Sequence, residues 1–457
     1  MADTRTSQLE DLLRRDGPLT ATALGQALEI SQPSVSRLLA SAGGRIVRIG
    51  RARASRYALG HDIARAGSRW PLYRIDSEGH GAALGELRAL HGGGFHFEPA
   101  QPMPAFVHGS FSDGLFPGLP WFLDDQRPQG FLGRAFVRRG AADIGAPDDL
   151  VRWQADDVVL ALLRHGEDEP GDLVLGEDAL QRAMQAMLSP DAMDLSERAT
   201  RYPEFAEAAL AGEDIGSSAG GEQPKFTALL REAPGFRAVI VKFSERTNTP
   251  TGERWADLLQ CEHLAGEVLR EHGIAAAESE IVHAGGRVFL QSTRFDRTPV
   301  LGRRGLVSLA ALDAALYSHG RIDWWKFARQ LQRDDWLPAV DARALAIRGW
   351  FGALIGNSDM HLGNASVVLA DVRPLSLAPS YDMLPMVLRP ASTGEIVART
   401  LEIPAPLPEH RTDWLSAAAM ALLFWERVAV SDDVSRSFRD IGAAQLQKLD
   451  AARRRFA

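Results

Sequence analysis

Several kinds of residue and segment are scarce in this chain of 457 residues, and each scarcity excludes a class of protein. A single cysteine, Cys261, excludes intramolecular disulfide bonds and metal clusters held by several thiolates. No apolar run approaches the ~20 residues that a membrane-spanning helix needs. The N-terminal residues lack the apolar core of a signal peptide, so we expect a cytoplasmic globular protein with no membrane partner.

Lysine is also scarce, because only four of the 51 basic residues are lysines. They are Lys225, Lys242, Lys326 and Lys448. Codon bias that favours arginine, with a few lysines left at random positions, would explain this ratio. The alternative is that a compact point charge is needed at particular sites, where arginine cannot replace lysine.

Charge is distributed unevenly along the chain. The net charge is −8, yet residues 1–60 contain nine arginines and five acidic residues, which leaves +4 in this segment and −12 in the remainder. Such a change of sign indicates an appended module for an acidic partner such as nucleic acid. We therefore predict a separate first domain at residues 1–65.

Residues 1–60 predict three short helices followed by two strands. Apolar spacing marks the first two helices, and Ser31 with Pro33 predicts the start of the third. Strands at 45–49 and 56–59 flank a basic tip. This order resembles a winged helix–turn–helix that binds DNA, although a small helical bundle for protein contacts would show the same pattern. The predicted DNA contacts are Gln32, Ser34, Arg37, Arg51 and Arg53.

Residues 66–200 are rich in glycine and proline and predict a strand-rich subdomain. The expected strands lie at 72–75, 105–107 and 172–175. Histidines are scattered through this region without the spacing of metal ligands, so we interpret them as loop residues. The region indicates no chemistry by itself.

The segment 216–225 reads G-S-S-A-G-G-E-Q-P-K, in which small residues let backbone amides approach an anion closely. An ordinary turn is the alternative, because the segment is not a Walker A loop. Strands predicted at 226–230 and 238–243 follow, and the second carries Lys242, as in protein kinases. Glu262, within a helix predicted at 253–272, either pairs with Lys242 or faces solvent.

A second motif, D-M-H-L-G-N, runs from Asp359 to Asn364. Its D-x-x-x-x-N spacing is that of kinase catalytic loops, in which the aspartate orients or deprotonates the attacking hydroxyl and the asparagine binds Mg²⁺. Magnesium also needs a carboxylate. We predict that Asp382 supplies it, whereas Asp371 falls in a simple hairpin turn. We interpret His361 as a hydrogen-bonding residue of the loop.

These motifs, together with R-F-D-R at 294–297 and Y-D-M-L at 381–384, resemble the HipA family in content and order. The family comprises the serine/threonine kinase toxins of bacterial toxin–antitoxin systems, and the fused head is similar to its single-chain, YjjJ-like branch. The resemblance covers residues 70–440. It implies an α+β multidomain fold, in which a winged helix–turn–helix precedes a bilobal, protein-kinase-like body with a mostly helical C-lobe. The implied subdomains are 66–200, an N-lobe at 201–297 and a C-lobe at 298–457.

The resemblance also implies an activity, which is transfer of the ATP γ-phosphate to a protein serine or threonine with Mg²⁺ as cofactor. The catalytic residue is then Asp359 and the metal ligands are Asn364 and Asp382. The implied ATP-binding residues are Lys242, Glu262, Gly220, Gly221, Gln223, Lys225, Thr293, Phe295 and His361. Autophosphorylation is implied at Ser218, with Ser217 as a second acceptor, and Pro224 departs from the usual family loop G-A-Q-E-K by stiffening it.

Three functions remain open. The first is a protein kinase whose target is a translation factor such as an aminoacyl-tRNA synthetase. The second is a small-molecule phosphotransferase, and the third is a DNA-binding regulator whose kinase fold only senses a ligand. The complete set of Lys242, Asp359, Asn364 and Asp382 argues against loss of activity. The two-fold symmetry usual for helix–turn–helix operators predicts a homodimer.

Overall fold

The computed structural model describes residues 2–50, 55–100, 104–107, 109–212 and 223–456. Six of the predicted site residues lie outside these ranges: Arg51, Arg53, Ser217, Ser218, Gly220 and Gly221. Among the helices in the described ranges, none has the length and apolar character needed to cross a membrane.

The N-terminal unit consists of three helices and a three-stranded antiparallel sheet. The helices are α1 (Ala2–Asp16), α2 (Ala21–Ala27) and α3 (Gln32–Ser41). The strands are β1 (Leu19–Thr20), β2 (Ile46–Ile49) and β3 (Arg56–Leu59), in the order β1-β3-β2. Ser31 is the N-cap residue of α3 and Pro33 lies in its first turn, which confirms the predicted start. Apolar side chains of all three helices form a core of their own.

The second unit is a five-stranded antiparallel sheet with three helices. Its strands are β4 (Arg69–Ile75), β5 (Gly81–Ala89), β6 (Phe95–Pro99), β7 (Leu115–Phe116) and β8 (Leu173–Leu175), in the order β7-β6-β5-β4-β8. Its helices are α4 (Gly130–Ile144), α5 (Ala155–His165) and α6 (Glu177–Leu188). The predicted strand at 105–107 is wrong. Ala105–Val107 is a 3₁₀ turn, which packs the Phe106 ring 5.0 Å from that of Phe122.

A second five-stranded sheet follows, and a long helix packs against it. The elements are β9 (Met193–Asp194), α7 (Arg198–Ala211), β10 (Lys225–Glu232), β11 (Gly235–Phe243), α8 (Pro250–Glu271), β12 (Ser279–Ala284) and β13 (Arg287–Thr293). The strand order is β12-β13-β11-β10-β9. The strands predicted at 226–230 and 238–243 and the helix predicted at 253–272 are therefore confirmed, each within a few residues.

The last part of the chain is mostly helical. Its elements are β14 (Val307–Ser308), α9 (Leu309–Leu316), α10 (Trp324–Arg333), α11 (Ala339–Ile355), β15 (Ser366–Val368), β16 (Ser376–Leu377), α12 (Arg411–Val430) and α13 (Arg436–Phe456). Helices α11 and α12 pack together around fully buried aromatic rings, Phe351 and Phe424 among them. Gly356 ends α11 in the left-handed conformation, with φ +80°, and turns the chain directly into the D-M-H-L-G-N motif.

Candidate active site

Lys242 lies at the centre of a buried ion-pair cluster. Its Nζ is 2.6 and 2.8 Å from the two carboxylate oxygens of Glu262, and it also contacts Oδ1 of Asp382. The backbone N–H of Asp382 donates to Glu262 at 3.2 Å. The solvent-facing interpretation of Glu262 is therefore wrong, since Glu262 is only 8% exposed and holds Lys242. Strand β11 supplies the lysine and helix α8 supplies its partner.

The electrostatics of the cluster follow from burial and mutual attraction. Burial alone would lower the pKa of Lys242, but Asp382 and Glu262 raise it above its ordinary value. Burial raises the pKa of Glu262 despite the neighbouring ammonium group. The pKa of Asp382 lies below its ordinary value, because the charges of Lys242 and Lys225 outweigh the effect of its burial. At neutral pH the lysine and Asp382 are ionised.

Lys225 faces Lys242 across the sheet. The two residues are directly opposed partners in the antiparallel β10–β11 ladder, so their side chains leave the same face. Both lysines are buried, at 3% and 7% exposure. Like charges in this position repel each other, and here Glu262 and Asp382 offset the repulsion. Two of the four lysines thus lie side by side in the sheet, and whether this placement or codon bias explains the scarcity of lysine stays open.

The D-M-H-L-G-N loop is held by its own side chains. Asn357 accepts from the backbone N–H of Asp359 at 3.0 Å and donates to the carbonyl of Asp382 at 3.0 Å. Asn364 Nδ2 donates to the carbonyl of Asp359 at 2.8 Å, so this bond uses the amide nitrogen and not the amide oxygen that the predicted Mg²⁺ site requires. His361 Nδ1 accepts from the N–H of Gly363, as its predicted loop role requires. Asn357 was not among the predicted site residues, although an asparagine side chain that bonds the N–H two residues on is the pattern of an Asx turn.

Tyr381 joins several parts of the site. Its hydroxyl lies 2.6 Å from Ser366 Oγ and donates to the carbonyl of Gly363 at 3.0 Å. Its ring centroid is 5.8 Å from that of Phe295, which lies at the connector after β13. Asp382 follows immediately with φ +54°, a conformation that non-glycine residues adopt rarely. Tyr381 thus fixes the backbone from which Asp382 projects.

The remaining residues that the sequence singled out differ in their surroundings. Thr293 ends β13 at the connector, and its N–H donates to the carbonyl of Glu278. Gln223 precedes β10, and its buried Nε2 has no acceptor within the described part of the chain. Asp371 has a different role: it lies in the turn between β15 and β16 and pairs with Arg74 at 2.8 Å. The R-F-D-R segment is a structural ion-pair cluster in which Arg294 and Arg297 contact Asp168.

Comparison with known proteins places this arrangement in a family. A profile described as "YjjJ-like toxin, middle domain" matches residues 66–184, and one described as "HipA-like C-terminal domain" matches residues 217–446. Over 445 residues, 97% of each chain, the sequence is 39% identical to Toxin YjjJ of Escherichia coli strain K12. The chain belongs to the YjjJ-like toxin family. The predicted resemblance to this branch of the HipA family is thereby confirmed.

The fold of this YjjJ-like toxin is also found in a solved structure. It matches a chain of the Shewanella oneidensis MR-1 toxin–antitoxin complex of HipA, HipB and operator DNA, with 15% identity and a TM-score of 0.52. The match covers 84% of this chain and 97% of that chain. A HipA-like, mixed α/β multidomain fold is therefore shown. A weaker match, at TM-score 0.36 and 13% identity, covers 52% of this chain and 92% of the proinflammatory kinase CtkA of Helicobacter pylori.

Within this YjjJ-like chain, the departure at Pro224 has a local structural effect. The Pro224 carbonyl accepts from the N–H of Phe243 at 3.2 Å, so that pairing with β11 begins before the first residue of β10. The proline ring also restricts its own φ angle. The end of the Gly-rich segment is therefore fastened to the strand that carries Lys242.

Proposed function

We propose that this chain is a protein kinase that transfers the γ-phosphoryl group of ATP to a serine or threonine. One observation carries the proposal: Lys242 binds Glu262 and Asp382, and Asn357 bonds both Asp382 and the Asp359 backbone. A lysine paired to a helix glutamate, a catalytic-loop aspartate and a metal-binding aspartate are the parts that phosphoryl transfer requires. A toxin of the YjjJ-like family with these parts intact has the equipment of an active enzyme.

The donor set fits Mg²⁺ and a triphosphate. Asp382 offers an ionised carboxylate and Asn364 an amide oxygen, and Mg²⁺ sites next to phosphates use one or two such ligands. The facing pair of Lys225 and Lys242 offers two positive charges to phosphate oxygens. When bound, Mg²⁺ and ATP would supply a neutralised, transferable γ-phosphoryl group. Lys242 would then leave Asp382 and contact a phosphate oxygen instead, while its ion pair with Glu262 stays in place.

Asp359 acts on the acceptor. It orients the acceptor hydroxyl, and that oxygen bonds to the γ-phosphorus as the bond to the ADP oxygen breaks, while the hydroxyl proton passes to the Asp359 carboxylate. The backbone of Asp359 is fixed by bonds to Asn357 and Asn364, so its carboxylate is positioned before the acceptor arrives. Positioning of this kind supplies much of the rate in phosphoryl transfer.

The proposal is tested by mapping phosphate on proteins after incubation of the purified chain with Mg-ATP. We expect phosphoserine in the chain itself, at Ser218 or Ser217, and on added bacterial proteins, translation factors such as aminoacyl-tRNA synthetases among them. Lys242→Met should abolish both signals, and Lys448→Met, the same change on α13, should leave them intact. Transfer to small molecules alone would support a phosphotransferase. Nucleotide binding without any transfer would support the ligand sensor.

We also propose that residues 1–60 form a winged helix–turn–helix that binds DNA. Gln32 and Arg37 are exposed on α3, and among the described residues the Arg37 guanidinium bonds only within its own helix. The antiparallel pair β2–β3 would serve as the wing of such a unit. Several other arginines of this unit are already paired, including Arg56 with Asp113 of the second unit. The contact surface is then α3 together with the basic tip.

DNA binding is tested by fluorescence anisotropy with a labelled random-sequence duplex over a range of salt concentrations. Affinity should fall with salt, as counterion release requires, and Arg37→Glu should weaken it at least about tenfold. Equal binding by wild type and Arg37→Glu would assign the unit to protein contacts instead. If the operator is two-fold symmetric, the protein that binds it in the bacterial cytoplasm should be a homodimer. Light scattering of the purified chain measures this oligomeric state.

A further inference from the structure

A cavity of about 830 Å³ opens beside Asp359, and the Lys242 cluster does not line it. One wall is the catalytic loop, from Asn357 to Leu362. The opposite wall is the loop before α10 together with the first turn of that helix, residues 320–326. The cavity therefore lies on the side from which an acceptor hydroxyl would reach Asp359.

The second wall is held rigidly with respect to Asp359. The carboxylate of Asp313, which is 2% exposed, accepts from the N–H groups of His319 and Gly320 and fixes the loop. The ring of Trp325 stacks on that of Trp350 in α11 at 3.8 Å. Because α11 runs directly into the catalytic loop, α10 and Asp359 share one support. A bound segment would meet a preformed surface.

This wall presents hydrogen-bond donors and positive charge. The Arg321 guanidinium is exposed and forms no ion pair within the described ranges. Lys326 pairs with Asp323 at 2.7 Å, but the two side chains are 56% and 42% exposed. Because an exposed ion pair is weak, Lys326 can exchange Asp323 for another anion. Trp324 is 2% exposed and lines the cavity, and its indole N–H has no acceptor among the described residues. The two exposed cationic side chains, Arg321 and Lys326, match a carboxylate-bearing ligand.

We propose that this cavity binds the acceptor segment of the protein substrate, and that Arg321 and Lys326 select segments with an acidic side chain close to the phosphorylated serine or threonine. The inference rests on the proposed kinase function and adds a substrate class to it. Arg321 is the main determinant, since Lys326 must first leave Asp323. Both residues are specificity determinants, and neither contacts the reacting atoms.

The test uses the full chain, Mg-ATP and a library of serine peptides flanked by aspartate, alanine or lysine. We expect kcat/KM for aspartate-flanked peptides to exceed that for lysine-flanked peptides. Arg321→Glu should reduce or invert this ratio by at least about fivefold, because it replaces an attraction with a repulsion at an exposed site. Arg333→Glu makes the same charge change near the other end of α10, outside the cavity, and should preserve the ratio.

Peptide preference and nucleotide binding separate the outcomes. The affinity of Arg321→Glu for ATP should equal that of the wild type, which shows that the variant is folded and its nucleotide site intact. If peptides are phosphorylated but Arg321→Glu leaves the ratio of the two kcat/KM values unchanged, the inference is overturned and the kinase proposal stands. Transfer to no peptide and no protein, by the wild type as well, overturns both.

Discussion

Tyr381 shows how a single hydroxyl group can position two parts of the candidate site. It bonds Ser366 on β15 and the carbonyl of Gly363, the residue before Asn364, and Asp382 follows it in the chain. The predicted metal ligands on both sides are thus tied to one half-buried tyrosine. Burial raises the pKa of Tyr381, so its hydroxyl keeps its proton and remains a donor.

We predict that Tyr381→Phe lowers kcat about tenfold and raises the Mg²⁺ concentration needed for half-maximal activity. The ring still packs on Phe295, but Gly363 loses its donor, and the backbone that carries Asn364 is held less firmly. The free energy of unfolding should fall by only about 1 kcal/mol, the usual loss for one hydrogen bond. Steady-state kinetics against Mg²⁺, beside urea unfolding, measure both. An unchanged Mg²⁺ dependence would reduce the hydroxyl to a packing role.

Motif spacing predicted Asp359, Asn364 and Asp382 as one site, and the structure brings their backbones together through Asn357 and Tyr381. Motif spacing could not predict that Lys225 faces Lys242, because the register of two strands depends on where the hairpin between them turns. It could not predict Asn357 or Tyr381 either, since hydrogen-bonding partners from different elements have no fixed spacing. The roles of the predicted site residues in binding ATP or Mg²⁺ remain predictions.

Among the elements, α8 is the one on which the Lys242 cluster depends most. The helix begins after Thr249, whose side chain accepts from the N–H of Gly252. At this point the chain doubles back so closely that a Cβ on Gly252 would lie 2.0 Å from the carbonyl oxygen of Arg246. Only glycine fits there without moving the backbone. The start of α8, and hence the direction from which Glu262 reaches Lys242, is fixed by this contact.

We predict that Gly252→Ala lowers the free energy of unfolding by about 2 kcal/mol, a typical cost of overpacking. Gly266→Ala, in the same helix, is the matched control, because its nearest neighbour is the flexible end of Arg270 at 3.3 Å. That change should be neutral or stabilise by up to about 1 kcal/mol, since alanine favours helix over glycine. Chemical denaturation distinguishes the two. Equal destabilisation by both would contradict a specific contact at Gly252.

Elements with strong periodicity were predictable, and those without it were not. Strands β10 and β11 and helix α8 match their predictions because their apolar patterns are clear. Helix α4 was missed, because its sequence contains three glycines and lacks a strong helical signal. The predicted strand at 105–107 fails for a tertiary reason, as aromatic packing around Phe106 decides the local backbone.

Across the whole molecule, the second unit is fastened to the body that carries the candidate site. Buried Asp296 accepts from Arg294 and Arg297 and from the N–H of Gly171, while Asp168 pairs with the same two arginines. The segment R-F-D-R therefore joins two units rather than contributing chemistry of its own. The contacts that Gly171 and Asp168 make with this segment join chain positions more than 120 residues apart, which spacing alone does not reveal.

We predict that Asp296→Asn lowers the free energy of unfolding by about 3 kcal/mol at pH 7, because it leaves buried arginines uncompensated. Burial alone would raise the pKa of Asp296, but the arginines hold it well below its ordinary value. The ionised form therefore stabilises the fold above about pH 4, and this contribution is lost as the pH falls further. The difference between variant and wild type should shrink there. A difference that persists unchanged to pH 3 in urea unfolding would contradict this account.

The most direct test of the central claim is the initial rate of ³²P transfer from Mg-[γ-³²P]ATP to protein by three purified chains. Asp359→Asn should transfer at least about 100-fold more slowly than the wild type, as loss of a catalytic carboxylate implies. Asp371→Asn, which removes the exposed partner of Arg74, should transfer at the wild-type rate. Equal transfer by the wild type and Asp359→Asn, or greater loss in Asp371→Asn, would contradict the proposed active site.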